Sequence, residues 1–440
     1  MLIVPRKKIS LTLVASILLF VAAVLAAIIA NSPVAYIYHD FLSQELQLQI
    51  GSFNLFSHGG HSLTMIEFVN DCLMTIFFLS VGLEIKRELL VGELSSFKRA
   101  VLPFISACGG MIFPVVVYFL LINHGTPDQR GMAIPIATDI AFSLGVLSLL
   151  GKHVPLSLKV FLTAFAVVDD IGGILVIALF YSSEVYYGYL IAAGVLYVFI
   201  YFLGRTGVTQ KIYYLCIGVV IWYLFMQSGI HSTISGVILA FVIPARPRMN
   251  VGKYIKKIRR TINKFPVAVS DDIVLTNRQI SLLKQVGRAS DYVISPLQSL
   301  EDNLHGIVNF VILPLFAFAN AGVVLNGGNG QLLGDVTLAV TFGLLLGKFI
   351  GIFSFTWLAI KTKIAIMPKG MNWKNIAGVS FLGGIGFTVS LFIANLSFGD
   401  AHSELLNQAK LGIIAGSILS GTAGYFMLRT LFSHKEYTLD

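Results

Sequence analysis

"FLTAFAVVDDIGGILVIALF", residues 161–180, decides the fold. Without its ninth and tenth letters it would be an ordinary bilayer-crossing helix, since about 20 residues at ~1.5 Å rise span ~30 Å of hydrocarbon. Instead Asp169 and Asp170 stand side by side near its centre. An ionised carboxylate at that depth costs at least ~2.5 to 3.5 kcal/mol, so such residues face a cavity or one another.

Outward from this stretch the chain reads as a polytopic membrane protein. Of its 440 residues 56% are hydrophobic and only 12% charged, a composition outside the water-soluble range. Apolar stretches long enough to cross a bilayer are read at 9–30, 66–83, 101–121, 131–150, 157–181, 188–203, 212–226, 229–244, 306–324, 336–358, 375–396 and 411–432. The first follows the basic "MLIVPRKK" but runs on without a small-residue cleavage site, so it reads as a retained helix. Cys72, Cys108 and Cys216 all fall in apolar stretches and are odd in number, which supports neither a disulfide framework nor a metal site and reads as buried, inert thiols.

The formal charge of +9 is not a nucleic-acid footprint. Basic residues gather in "PRKK", "EIKRELLVGELSSFKR", "GKHVPLSLK", "GRTGVTQK", the 245–305 segment and "KTKIAIMPKGMNWK", while "NSPVAYIYHDFLSQELQLQIGSFNLF", "YSSEVYY", "QSGIHS" and "LNGGNGQLLGD" carry none. This alternation is the positive-inside pattern and predicts cytoplasmic termini. Residues 245–305 form one long basic cytoplasmic loop between eight spans and four. On the other face "LQLQIGSFNLF" (46–56) alternates apolar and polar residues around Gly51-Ser52. It predicts a β-hairpin, either self-contained or pairing its edge with a second copy.

Two further ionisable residues sit mid-span: Asp139 in "AIPIATDIAFSLG" and Lys348 in "FGLLLGKFIGIF". Three acids and one base at similar depth predict a single cluster. Adjacent helical residues project about 100° apart, so one acid of the pair can line an aqueous funnel while the other meets a neighbouring helix. Desolvation and a second carboxylate favour the protonated acid, an ammonium favours the ionised one, and protons then compete with a small cation for the same oxygens. Pro135 before "ATDIAF" and the glycines of "FLGGIGFTVS" (381–390) predict two interrupted helices, which survive at membrane depth only beside protein or a water-lined cavity. Asp139 is placed to neutralise facing helix N-termini and Lys348 facing C-termini. His231 reads as a satisfied polar residue in a short outer loop.

"FFLSVGLEIKREL" (77–89), "AIPIATDIAFSLGVLSLLGKHVPLSLKVFL" (133–162), "AVVDDIGGILVIALFY" (166–181), "SGIHSTISGVI" (228–238), "ILPLFAFANAG" (312–322) and "GGIGFTVSLFIANLSFG" (383–399) together resemble the NhaA family of sodium/proton antiporters. The resemblance implies an all-α protein of about twelve transmembrane helices in one domain spanning 1–440, with inverted-topology repeats and two crossed broken helices. It implies a bacterial inner-membrane exchanger of Na⁺ or Li⁺ for H⁺, electrogenic and pH-regulated, with no cofactor. By motif, Asp169, Asp170 and Thr138 would hold the cation and protons, Asp139 would balance helix ends, and Lys348 would pair with Asp169. Glu84, Arg87, Glu88, Glu301 and His305 match the pH-response region. Departures from the family pattern are Gln298, Ser299 and Asp302 near "LEDNLH", Phe349 after Lys348, and the long 245–305 insertion. A proton-independent channel is opposed by Lys348 at the site. An intramembrane aspartyl protease would need Gly-x-Gly-Asp, where the chain has only "LLGD" and "SFGD".

Overall fold

A computed structural model describes residues 11–51, 53–58, 61–123, 125–151, 154–181, 185–208, 210–246, 251–264, 276–324, 334–399 and 402–433. Among these, nine helices are long and apolar enough to cross a bilayer: Leu11–Ala30, Met65–Val91, Phe97–Leu121, Leu156–Phe180, Tyr187–Arg205, Lys211–Ser228, Pro296–Asn320, Asp335–Lys361 and Ser403–Phe432. Two bent pairs bring the number to eleven: Pro127–Ile136 with Ile140–Leu149, bent by 45°, and Trp373–Leu382 with Phe387–Phe398, bent by 44°. The expected span 229–244 is shorter than its apolar run. Gly229, at φ 81°, ends the preceding helix, and only Thr233–Val242 is helical. Ten residues rise about 15 Å, half a bilayer.

The helices are patterned for lipid rather than water. In Leu11–Ala30 the small residues Ala23, Ala26 and Ala30 are buried with Leu19, while Leu18, Val21, Leu25 and Ile28 face outward. Tyr187–Arg205 exposes Ile191, Val195, Phe199 and Phe202. Small residues inside let backbones approach, which is how helices associate where lipid is as apolar as leucine. Phe97–Leu121 packs on Asp335–Lys361 in this way: a Cβ built on Gly109 would stand 2.2 Å from the Gly351 carbonyl oxygen. Ser106 and Thr356 join the same two helices through a 2.6 Å hydroxyl–hydroxyl bond. Cys216 lies exposed rather than buried, because its helix turns that face outward.

Pro296–Asn320 starts ten residues before the apolar run that announced it. Ser295 caps it, its hydroxyl accepting from the Gln298 N–H at 3.2 Å, and Pro296 occupies the first turn. Glu301 and His305 therefore stand on a helix. Within the 245–305 segment, Val251–Ile262 and Asn277–Val293 are helical as well. On the opposite face Gln49–Ile50 pairs antiparallel with Phe53–Asn54 and Ser57–His58 with His61–Ser62. Gly51 turns the first pair at φ 65°, a conformation glycine adopts without Cβ strain. Each ladder is only two residues long.

Candidate functional site

The two bends meet. After Pro135, which has no N–H to give, residues 137–139 leave the helical track and Asp139 becomes the N-cap of Ile140–Leu149. Its Oδ1 accepts from the Phe142 N–H at 3.0 Å. Its Oδ2 accepts from the N–H and hydroxyl of Thr388, at 3.1 and 2.6 Å, in the first turn of Phe387–Phe398. One carboxylate thus caps two helix N-termini, each carrying about half a positive charge. The freed carbonyls of the other bend are answered from the same strip. The Asp139 N–H donates to Ile385 O at 2.6 Å, the Thr138 hydroxyl to Gly383 O at 2.8 Å, and the Ser143 hydroxyl to Leu382 O at 2.9 Å.

Lys348 follows a wide π-helical turn, Gly343–Gly347, and its N–H reaches back to Gly343 O. Such turns re-aim a side chain at functional positions. The ammonium, fully buried, lies 2.5 Å from Asp169 Oδ2 and donates to the Thr138 hydroxyl at 3.0 Å. Through Thr138 the ammonium is linked to the Gly383 carbonyl at the C-terminal end of Trp373–Leu382. Asp169 Oδ1 is buried with no hydrogen-bond partner. Asp170, next along Leu156–Phe180, is 7% exposed against 0% for Asp169, and no direct hydrogen bond or ion pair to its side chain occurs among the described residues. The adjacent acids thus diverge as their 100° separation requires: one is locked to a lysine, the other open.

A second charged group lies at the end of Met65–Val91. Arg87 stands 3.0 Å from Glu301, 3.1 Å from Glu88 and 4.0 Å from Glu84. Glu84 is within electrostatic reach of Asp170 on one side and His305 on the other. All ten residues singled out from the sequence thus fall into two neighbouring clusters. His231 is held by Thr233, 3.0 Å from its Nδ1, and lies 3.7 Å from Asp71. Sequence reasoning missed Thr388. Its signal is a hydroxyl in the first turn after a glycine-rich break, the place where hydroxyls and acids satisfy open N–H groups.

Broken helices crossing at a buried lysine and acids, in a molecule built of membrane-crossing helices, define a polytopic ion transporter. The sequence comparisons are specific: the family model described as Na⁺/H⁺ antiporter 1 matches residues 6–428, and the chain belongs to that family. It is 71% identical to the Na⁺/H⁺ antiporter NhaA of Bacteroides thetaiotaomicron, over 96% of this chain and 95% of that one. Identity to the NhaA of Phocaeicola vulgatus is 58%, over 94% and 92%, and to that of Helicobacter acinonychis 45%, over the same shares. Among solved structures the sodium proton antiporter MjNhaP1 of Methanocaldococcus jannaschii at pH 8 superposes over 96% of both chains, with a TM-score of 0.52 and 13% identity, and so shares the fold. The family is one of transporters, not enzymes.

Proposed function

We propose that the protein exports Na⁺ or Li⁺ in exchange for protons by alternating access at Asp169 and Asp170. The observation that supports this most is the pair of acid positions left open beside one that is closed. Among the described residues Asp169 Oδ1 has no hydrogen-bond partner and Asp170 no ion pair, while Asp169 Oδ2 is held by Lys348. A buried carboxylate oxygen without a protein partner is costly unless a proton, a cation or water answers it, and in an exchanger the first two compete for it. Deprotonation of the pair admits a cation, which the Thr138 hydroxyl oxygen beside Lys348 helps to hold, and protons arriving from the other side expel it. Asp139 stays bonded to both helix ends and neutralises them throughout.

If both acids exchange, two protons enter per cation and the cycle is electrogenic. The Arg87 cluster with Glu84, Glu88, Glu301 and His305 sets the pH response, since protonating any of its carboxylates alters the field at Asp170. The order long helix, bent pair, long helix occurs twice with nearly equal bends, which supports inverted-topology repeats. Cytoplasmic termini, a bacterial inner-membrane location and a homodimer pairing the 46–56 hairpins complete the proposal. Everted vesicles with a pH-reporting dye test its centre. Sodium added to wild-type vesicles releases protons across the active pH range, and Asp170→Asn abolishes the signal; a retained signal in the variant sinks the site assignment.

A further inference from the structure

A cavity of about 510 Å³ opens at the end of the Leu156–Phe180 helix away from the Arg87 cluster, with Gln129, Arg130, Tyr181 and Ser397 lining it beside apolar residues such as Phe119, Met132 and Leu396. The Tyr181 hydroxyl donates to the Arg130 carbonyl at 2.7 Å and accepts from the Ser397 hydroxyl at 3.0 Å, joining the acid-bearing helix to both bent pairs. Its floor lies about 15 Å along the helix from Asp170, ten residues away. The hollow thus lies at the end of the acid-bearing helix opposite the Arg87 cluster, the position of the outer mouth in the proposed exchanger.

Arg130 is out of place there. The stretches that the charge pattern assigns to the outer side, 31–64, 122–126, 181–186, 229–232, 321–334 and 399–402, contain no Lys or Arg, in keeping with the positive-inside rule. Its side chain is exposed and has no ion pair within 4 Å among the described residues, although Asp128 precedes it by two residues in the same helix. At the other end of the molecule three carboxylates, Glu84, Glu88 and Glu301, gather around Arg87, with Lys86 beside them bonded to the Phe241 carbonyl, so that this cluster is acidic on a face that is otherwise basic. Low-dielectric walls focus such fields, and they persist over a Debye length of about 8 Å at physiological salt.

We propose that Arg130 is a specificity-determining residue for sidedness: its fixed positive charge depletes cations at the outer mouth, while the acidic inner mouth concentrates them. This rests on the exchanger reading above. Both Na⁺ and H⁺ are depleted, so the equilibrium gradient is untouched. What changes is the concentration needed to load the site from outside. The charge favours release of exported sodium and hinders its return.

The test compares half-saturating sodium on the two faces, in right-side-out and everted vesicles from a host without its own exchangers. Arg130→Gln lowers the external value about twofold and Arg130→Glu about fourfold. The external proton dependence moves with it, by up to ~0.6 pH units toward alkaline pH. The cytoplasmic values stay put, Arg130→Lys behaves as wild type, and added choline chloride erases the differences. Gln129→Lys, which adds a charge at the same mouth, raises the external value about twofold and supplies the reading if the acidic variant fails to accumulate. Equal shifts on both faces, no external shift, or shifts indifferent to salt overturn the proposal while wild-type exchange persists. Absence of exchange in the wild type would instead overturn the exchanger reading.

Discussion

Lys348 and Asp169 are each completely buried and 2.5 Å apart, so neither can lose the other cheaply. Removing one partner of such a pair leaves an uncompensated charge and costs about 3 to 5 kcal/mol, whereas replacing both by neutral groups of similar size is close to neutral. Thermal unfolding in detergent should therefore show Lys348→Met strongly destabilised and Lys348→Met/Asp169→Asn restored most of the way to wild type. A double variant no more stable than the single one would mean the pair does not hold the centre. Asp139 accepts three hydrogen bonds from two helices. Asp139→Ala should lower stability by about 2 to 4 kcal/mol and Thr388→Val by only about 1, because the Thr388 N–H remains to the carboxylate. The acids and Lys348 were legible in the sequence because a charge in an apolar run contradicts its surroundings. Thr388 was not, because a threonine in an apolar helix contradicts nothing and bonds locally anywhere. The relay from Lys348 through Thr138 to the Gly383 carbonyl was equally hidden, since a backbone oxygen leaves no letter.

At the scale of elements, close backbone approach rather than side-chain bulk sets the geometry. The Gly109 and Gly351 backbones touch, and a Cβ on Gly384 in the second break would lie 2.3 Å from the Leu344 carbonyl oxygen. In an isolated helix alanine outranks glycine by up to ~1 kcal/mol. Here the neighbour is backbone and cannot rotate away, so overpacking at about 1 to 3 kcal/mol decides the sign. Gly351→Ala and Gly384→Ala should each lower the unfolding temperature, Gly384→Ala with the larger loss of exchange because it spreads the crossing. Unchanged melting of both variants would refute the close approach. The long helices were legible from apolar length alone. The start of Pro296–Asn320 was not, because its first ten residues are polar and extend beyond the hydrocarbon, where hydropathy reads a loop. The cap signal at Ser295-Pro296 was present and is independent of hydropathy. Thr233–Val242 shows the converse error, an apolar run in which Gly229 ends one helix before the next begins.

For the whole molecule, the decisive property is how many charges one cycle moves. Positive-inside patterning predicts an orientation, but stoichiometry depends on which acids release their protons together, and no pattern of letters records that. In the proposed cycle two acids exchange and one lysine compensates one of them. If the cation enters only when both carboxylates are ionised, each sodium leaving is matched by two protons entering, and one net positive charge moves inward. A potential of 100 mV is worth about 2.3 kcal/mol per charge. With no pH difference, proteoliposomes held 100 mV negative on the cytoplasmic side should thus sustain an outward sodium gradient of about 50-fold. Sodium flux should reverse direction as the imposed sodium ratio passes that value. One-for-one exchange predicts no gradient at any voltage, and a null point at equal sodium would remove one acid from the transport cycle. Arg87→Gln should leave this null point where it is while displacing the pH at which flux becomes half-maximal, because a mouth cluster alters loading rather than coupling. A moved null point would place Arg87 inside the cycle instead of at its entrance.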